Sequence, residues 1–163
     1  MSLAHILTKQ LQIVAAGNKK ILERVPADKL TWKPHEKSMT LGRLAMHLAE
    51  LPHWFNRCAE DDHYDFASRP FIPVIPENFA QIMEEHEYKL PLAIEALSKV
   101  TDEQMQEPWS LKRGDITVFT MPRVDYMMHA LEHMVHHRGQ LSVYLRLLDV
   151  PVPGLFGPSA DER

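Results

Sequence analysis

Residues 129 to 141 read HALEHMVHHRGQL, with histidines at positions 129, 133, 136 and 137. A neutral imidazole is a metal ligand, and its proton exchange falls near physiological pH. Four of them on one segment point to an ion site, to acid–base chemistry or to a solvated polar face. On a helix successive residues turn by about 100°, so with His129 at zero, His133 falls near 40°, His137 near 80° and His136 near −20°. Gln140 lies at about 20°, and Tyr126 and Tyr144 at about 60°, on the same wheel. The apolar arc of Met127, Ala130, Met134, Leu141 and Leu145 occupies about 100° to 160°. His133 and His137 therefore border the buried side, and His129 and His136 stand further out.

Residues four apart on a helix share a face, so the 133/137 pair can share an ion, and 129/133 is the second choice. Two ligands do not make a useful site of the zinc type, which needs at least one more. Inward-facing candidates occur on other segments. His47 borders the arc of Leu44, Leu48 and Leu51, and His86 falls within the stripe of Phe79, Met83 and Leu90. His53 and His5 point away from their apolar stripes, and His35 and His63 fall in loops. A lone histidine beside an apolar stripe is more often a satisfied, partly buried side chain than a ligand. His129 and His136 read most simply as solvated neighbours.

Four segments with helical period position these residues. The first runs from Leu3 to Arg24, with Leu3, Ile6, Leu7, Leu11, Val14, Ile21 and Leu22 in register and Gln10 and Asn18 in the same stripe. The second follows Thr40, a favourable N-cap, and reaches Glu60 with a kink at Pro52. The third runs from Pro76 to Lys99 with a second kink at Pro91, and the fourth from Pro122 to Asp149, ahead of Pro151 and Pro153. The linkers VPADKLTWKPHEKSM, DDHYDFASRPFIPVI and TDEQMQEPWSLKRGDITVFT exceed the usual connection in a bundle. ITVFT after RGD reads as one arm of a short hairpin. The expectation is an all-α fold: one four-helix-bundle domain over residues 1–163, with elaborated ends.

The chain of 163 residues is 45% hydrophobic and 25% charged, within the range of one globular domain. A formal net charge of −4 without a basic run argues against nucleic acid as a partner. Cys58 is the single cysteine, so no internal disulfide and no oxidising compartment is implied. No secretory leader and no apolar run long enough for a membrane span is seen, which makes the cytoplasm the default location.

HLAELPHWF on the second segment, EHMVHHRGQLSVYLR on the fourth and the tail PVPGLFGPSADE resemble the DinB/YfiT-like superfamily. Trp32 and SMTLGRLAMHLAE also fit, so the likeness spans most of the chain. Its most specific part is HRGQL with a histidine four residues earlier. The resemblance implies a four-helix bundle in up-down-down-up order, often a homodimer, with a divalent ion on three histidines. Carried over by position, these are His47, His133 and His137, the last two being the pair that the helical wheel ranks first. His86, His129, His136, Gln140 and Tyr126 are left as neighbours or pocket wall. In related members such a site serves thiol-dependent S-transferases and isomerases using low-molecular-weight thiols, and other members are described as hydrolases. The partner expected from this likeness is a small-molecule substrate.

Three imidazoles leave an open position on a tetrahedral ion, the arrangement of catalytic zinc. Imidazole suits zinc, nickel, copper and iron alike; zinc or nickel is the first expectation. No general base stands out. Glu50 falls roughly 60° further than His47 from the apolar arc and is expected to face outward. Asp125 and Glu132 are candidates to orient ligand rings, and Asp161 would have to fold back from the tail. Two classes of function remain: a metal-dependent enzyme acting on a small molecule, and a non-catalytic metal-binding or dimerising bundle.

Overall fold

The structure, a computed structural model, describes residues 2–162. Helix α1 (Leu3–Leu22) starts where Ser2 Oγ accepts from the His5 amide at 3.2 Å, and it buries Leu7, Leu11, Ala15, Asn18, Ile21 and Leu22. Ile6 and Gln10, both expected in the buried stripe, are exposed. Helix α2 (Leu41–Glu50) is capped by Thr40, whose hydroxyl accepts from the Arg43 amide at 3.2 Å. The kink expected at Pro52 is present: Leu51 and Pro52 interrupt the helix after Glu50 but keep right-handed helical dihedrals, because proline lacks an amide proton and its ring crowds the carbonyl four residues back. Tighter bonds from Trp54 N to Leu51 O and from Phe55 N to Pro52 O carry the chain into α3 (His53–Glu60).

Helix α4 (Phe79–Ser98) begins at an Asn78 cap, slightly later than Pro76, and continues through Pro91. Helix α5 (Asp102–Gln106) is one short segment closed by a reciprocal capping box between Thr101 and Gln104. Helix α6 (Arg123–Leu147) carries the histidine-rich stretch.

The expectation of an all-α chain is corrected by a three-stranded sheet. Strand β1 (His63–Asp65) pairs in parallel with β2 (Pro108–Arg113), which pairs antiparallel with β3 (Ile116–Pro122). The ITVFT arm of the expected hairpin is thus present within β3, with a turn at Gly114, whose φ of 61° suits glycine. Its partner strand, PWSLKR, has a broken register between Leu111 and Lys112, so no clean alternation betrays it. Asp65 ties the sheet together: its Oδ1 accepts from the Gly114 and Ala67 amides, both at 2.8 Å. The fold is mostly helical with this small sheet at its edge.

Helix α1 packs on α4 and α6, and the α2–α3 pair packs on the same two helices, so the four long segments form a ring around one core. Leu11, Ile21, Leu44, Leu48, Phe55 and Leu141 are fully enclosed there. Arg123 fastens the start of α6 to the end of α3. Its buried guanidinium donates to the carbonyls of Cys58 and Asp61 and reaches Asp62 Oδ1 at 3.0 Å. The tail folds back on α6: Asp161 Oδ2 lies 2.6 Å from Arg146 Nη2, and Glu162 accepts from the Gly154 and Ser159 amides. Among the described residues no helix is long and apolar enough to cross a membrane.

Candidate metal centre

His47 on α2 and His133 and His137 on α6 come together where these two helices pack. One candidate ligand atom from each lies within 4.8 Å of the others. The ring centroids are 5.3 Å apart for His47 and His133, 4.7 Å for His47 and His137, and 4.6 Å for His133 and His137. The two α6 rings meet because residues four apart stack on one face of a helix. The third arrives because α2 turns the edge of its Leu44–Leu48 stripe toward α6.

Hydrogen bonding fixes how His137 presents itself. Its Nδ1 lies 2.7 Å from Gln140 Oε1, an amide oxygen that only accepts, so Nδ1 carries the proton. Nε2 of His137 is then a bare lone pair, and it faces His133 Nε2 at 2.7 Å. Burial, joined by the charges of neighbouring histidines, brings the pKa values of His133 and His137 down to about 4, with the Gln140 hydrogen bond opposing the shift at His137. Both are therefore neutral at physiological pH, as metal ligation requires. Three histidines in this arrangement are chemically suited to hold a metal ion.

Arg43 and Glu50 stand behind His47. Arg43 Nη1 is 3.0 Å from Glu50 Oε2, with the side chains 9% and 12% exposed. His47 Nδ1 lies 3.4 Å from Arg43 Nη2 and 3.7 Å from the same Glu50 oxygen. The outward orientation expected of Glu50 is thus corrected, because pairing with a buried arginine seven residues earlier turns the carboxylate inward. Phe71 from the α3–α4 connection closes over this corner, 6.1 Å from the His47 ring and 5.6 Å from the Arg43 guanidinium. Arg43 and Phe71 had no signal in their spacing beyond Arg43 sharing a face with His47.

The other expected neighbours separate. His129 is exposed, with its ring 6.4 Å from that of His133 and nearly parallel to it, and His136 is exposed with its ring 5.0 Å from that of His137. Together with Glu132 and the two α6 members of the triad, they line an open depression of about 460 Å³. Tyr126 shares the face but sits in an aromatic cluster, stacked on Trp109 at 4.2 Å, and burial raises its pKa. Tyr144 donates to the Met39 carbonyl at 3.2 Å and packs edge-on against Trp32. His86 is buried on α4, where the charges acting on it are Lys19, Glu87 and Glu23, and the fold does not bring it into the cluster. Asp125 is exposed, and Asp161 is committed to Arg146 and the Val152 amide.

The DinB family profile matches residues 2–162. An uncharacterized protein of Bacillus subtilis strain 168, YrdA, is 25% identical over 162 residues, covering 99% of this chain and 92% of the relative. A DinB-like protein of Bacillus cereus ATCC 10987 superposes with a TM-score of 0.69 at 23% identity, over 91% of this chain and 94% of the other. The DinB-like protein YjoA of Bacillus subtilis superposes equally well, at 0.69 and 18% identity, over 90% and 96% of the two chains. With a profile match over nearly its whole length and that fold, this chain belongs to the DinB family.

Proposed function

We propose that the protein is a divalent-metal-dependent enzyme acting on a small molecule, by thiol-dependent transfer of the S-transferase type or by hydrolysis. The observation that carries the reading is the bare Nε2 of His137, held open by Gln140 and aimed at His133 beside His47. His47, His133 and His137 are the proposed ligands; zinc or nickel is the preferred ion, with iron and copper as alternatives. A divalent ion on three imidazoles supplies Lewis acidity toward a thiol or a water.

The chain's own residues do the rest of the positioning. Gln140 orients the ring of His137, and the Arg43–Glu50 pair orients that of His47. Phe71 and the Arg43–Glu50 pair keep bulk water from the back of His47. The depression beside His129 and Glu132 gives a small substrate its approach.

The protein offers no nucleophile of its own here. The one thiol, Cys58, is fully buried with its pKa pushed up to about 12, and its sulfur contacts the Arg123 carbonyl. Glu50 is held by Arg43. An external low-molecular-weight thiol fits that deficit. We further read the chain as one cytoplasmic four-helix-bundle domain in up-down-down-up order. The Tyr144–Met39 and Arg123–Cys58 contacts run α2–α3 antiparallel to α6, and the bond from Leu3 N to Asp102, just past α4, runs α1 antiparallel to α4, which supports that order. A homodimer is expected with it.

Elemental analysis of the purified protein tests the ligand set. The expected result is one equivalent of a divalent metal, lost in His47→Ala and in His137→Ala; retention by both variants rejects it. Metal-dependent turnover of electrophiles with a panel of thiols, or of esters without them, tests the enzyme reading. A loaded protein inactive on every panel leaves the static metal-binding bundle as the better description.

A further inference from the structure

Three arginines are buried among the described residues. Arg43 is paired with Glu50, and Arg123 reaches Asp62 and two carbonyls. Arg138 is 4% exposed and has no carboxylate within ion-pair distance among the described residues; its one protein hydrogen bond runs from Nη1 to the Val14 carbonyl at 3.3 Å. A buried guanidinium without a counter-charge is costly, and an anion bound beside it would offset that cost.

The surroundings supply a place for that anion. A groove of about 800 Å³ opens between α1 and α6, on the side of α6 away from α2, and Arg138 lies in its wall. That volume is typical of a small-molecule site. Its apolar surface comes from Ile13 and Val14 of α1, Leu131 and Val135 of α6, and Leu155 and Phe156 of the tail. Gly17 lets the guanidinium lie against α1: a Cβ there would come within 2.5 Å of Arg138 Nη1. Phe156 covers the outer face of the guanidinium at 5.2 Å, although its own side chain is 89% exposed. The tail is fixed in this position by the Asp161–Arg146 pair. Lys20, Glu132 and His136 also border the groove.

We infer that this groove binds a free amphipathic monoanion, an aliphatic chain ending in a carboxylate, with the carboxylate on Arg138 and the chain along the α1–α6 apolar wall. The guanidinium supplies the bidentate geometry that a carboxylate accepts. The groove meets the depression beside the histidines at Glu132 and His136, which line both, but the carboxylate site on Arg138 uses none of the three proposed ligands, so its failure would leave the reading of that cluster intact.

Isothermal titration of the full-length protein with decanoate, and with 1-decanol as the uncharged control, tests the assignment. Saturable decanoate binding is expected, weakened by roughly tenfold in Arg138→Met with decanol affected far less, since only the charge-assisted bonds are lost. Val135→Trp, a substitution on the exposed groove wall, keeps the test valid should Arg138→Met fold poorly, and it should weaken both ligands. Equal decanoate affinity in Arg138→Met and the parent overturns the inference. So does binding that is lost in His47→Ala but kept in Val135→Trp, which would put the carboxylate at the histidine cluster. A sedimenting dimer that buries the groove and excludes decanoate also overturns it, because a second copy would then be the occupant.

Discussion

Gln140 Oε1 and His137 Nδ1 are 2.7 Å apart, and that one contact decides which nitrogen of His137 faces the cluster. Without it the imidazole can place its proton on Nε2, where it would block ligation. Gln140→Leu should therefore weaken metal binding by about 10- to 100-fold, the usual effect of losing an outer hydrogen bond to a ligating histidine. Competition with a chromophoric chelator measures this. Gln140→Glu, which keeps an acceptor oxygen, should restore most of the affinity. An unchanged affinity in Gln140→Leu would mean that the packing of α6 alone orients the ring.

The low histidine pKa values set an acid limit. His53, His133 and His137 sit near 4 when folded, against an ordinary value of 6.5, chiefly because burial disfavours the charged ring. Between these values the unfolded chain binds protons that the folded chain refuses, so stability falls as pH falls from about 6.5 toward 4. Above 6.5 these groups contribute no pH dependence. The melting temperature of chelator-treated protein should drop between pH 7 and pH 5, and the slope should flatten in a His133→Gln, His137→Gln double variant. Metal-loaded protein should release its ion over the same window as protons compete for the lone pairs. A flat melting temperature from pH 7 to pH 5 would contradict the neutral, buried state of these rings.

Arg43 and Glu50 form a pair whose members depend on each other. Glu50→Ala leaves a buried guanidinium without its carboxylate, a loss of about 3–5 kcal/mol for a pair this enclosed. Replacing both, as Arg43→Met with Glu50→Leu, removes the unpaired charge and should recover much of that stability. Urea denaturation of the single and double variants separates the two effects. If the double variant is as unstable as Glu50→Ala, the pair is needed for the local fold and the charge imbalance is not the cause.

The legible part of the site was the part set by angle along one helix. His133 and His137 follow from a spacing of four beside an apolar arc, and His47 from its place on the edge of the Leu44–Leu48 stripe. Angle alone misleads about height: Tyr126 shares the wedge with His137 but is eleven residues away, about 16 Å along a helix. It joins Trp109 and Phe119 in the aromatic cluster instead. Glu50 was misjudged because a wheel assigns direction from the Cα, whereas a long carboxylate bends toward a buried cation. His86 does occupy the inward stripe of α4, but the charges that reach it lie on α1 and on α4 itself. The sheet was only half visible, since β1 has three residues and β2 opens on a proline and carries a register shift. Tertiary pairing, which spacing within one segment does not encode, accounts for each of these differences.

Arg123 offers the clearest separation of ion pairing from carbonyl capping. Its guanidinium meets the carbonyls of Cys58 and Asp61 inside the protein, whereas its carboxylate partners Asp62 and Glu107 are 95% and 57% exposed. The last carbonyls of α3 have no partner within their own helix, so a buried cation at that end satisfies them and also opposes the negative end of the helix dipole. Hydrogen bonds to a charged donor contribute about 1.5–3 kcal/mol each, so Arg123→Met should destabilise the fold by roughly 3 kcal/mol or more. Asp62→Ala should change little, because an exposed ion pair is screened by water. The two variants are compared by urea denaturation. Equal losses would assign the stabilisation to the ion pair, whereas a large loss confined to Arg123→Met would show that capping the end of α3 is what joins it to α6 and keeps α2 in register with the histidines opposite.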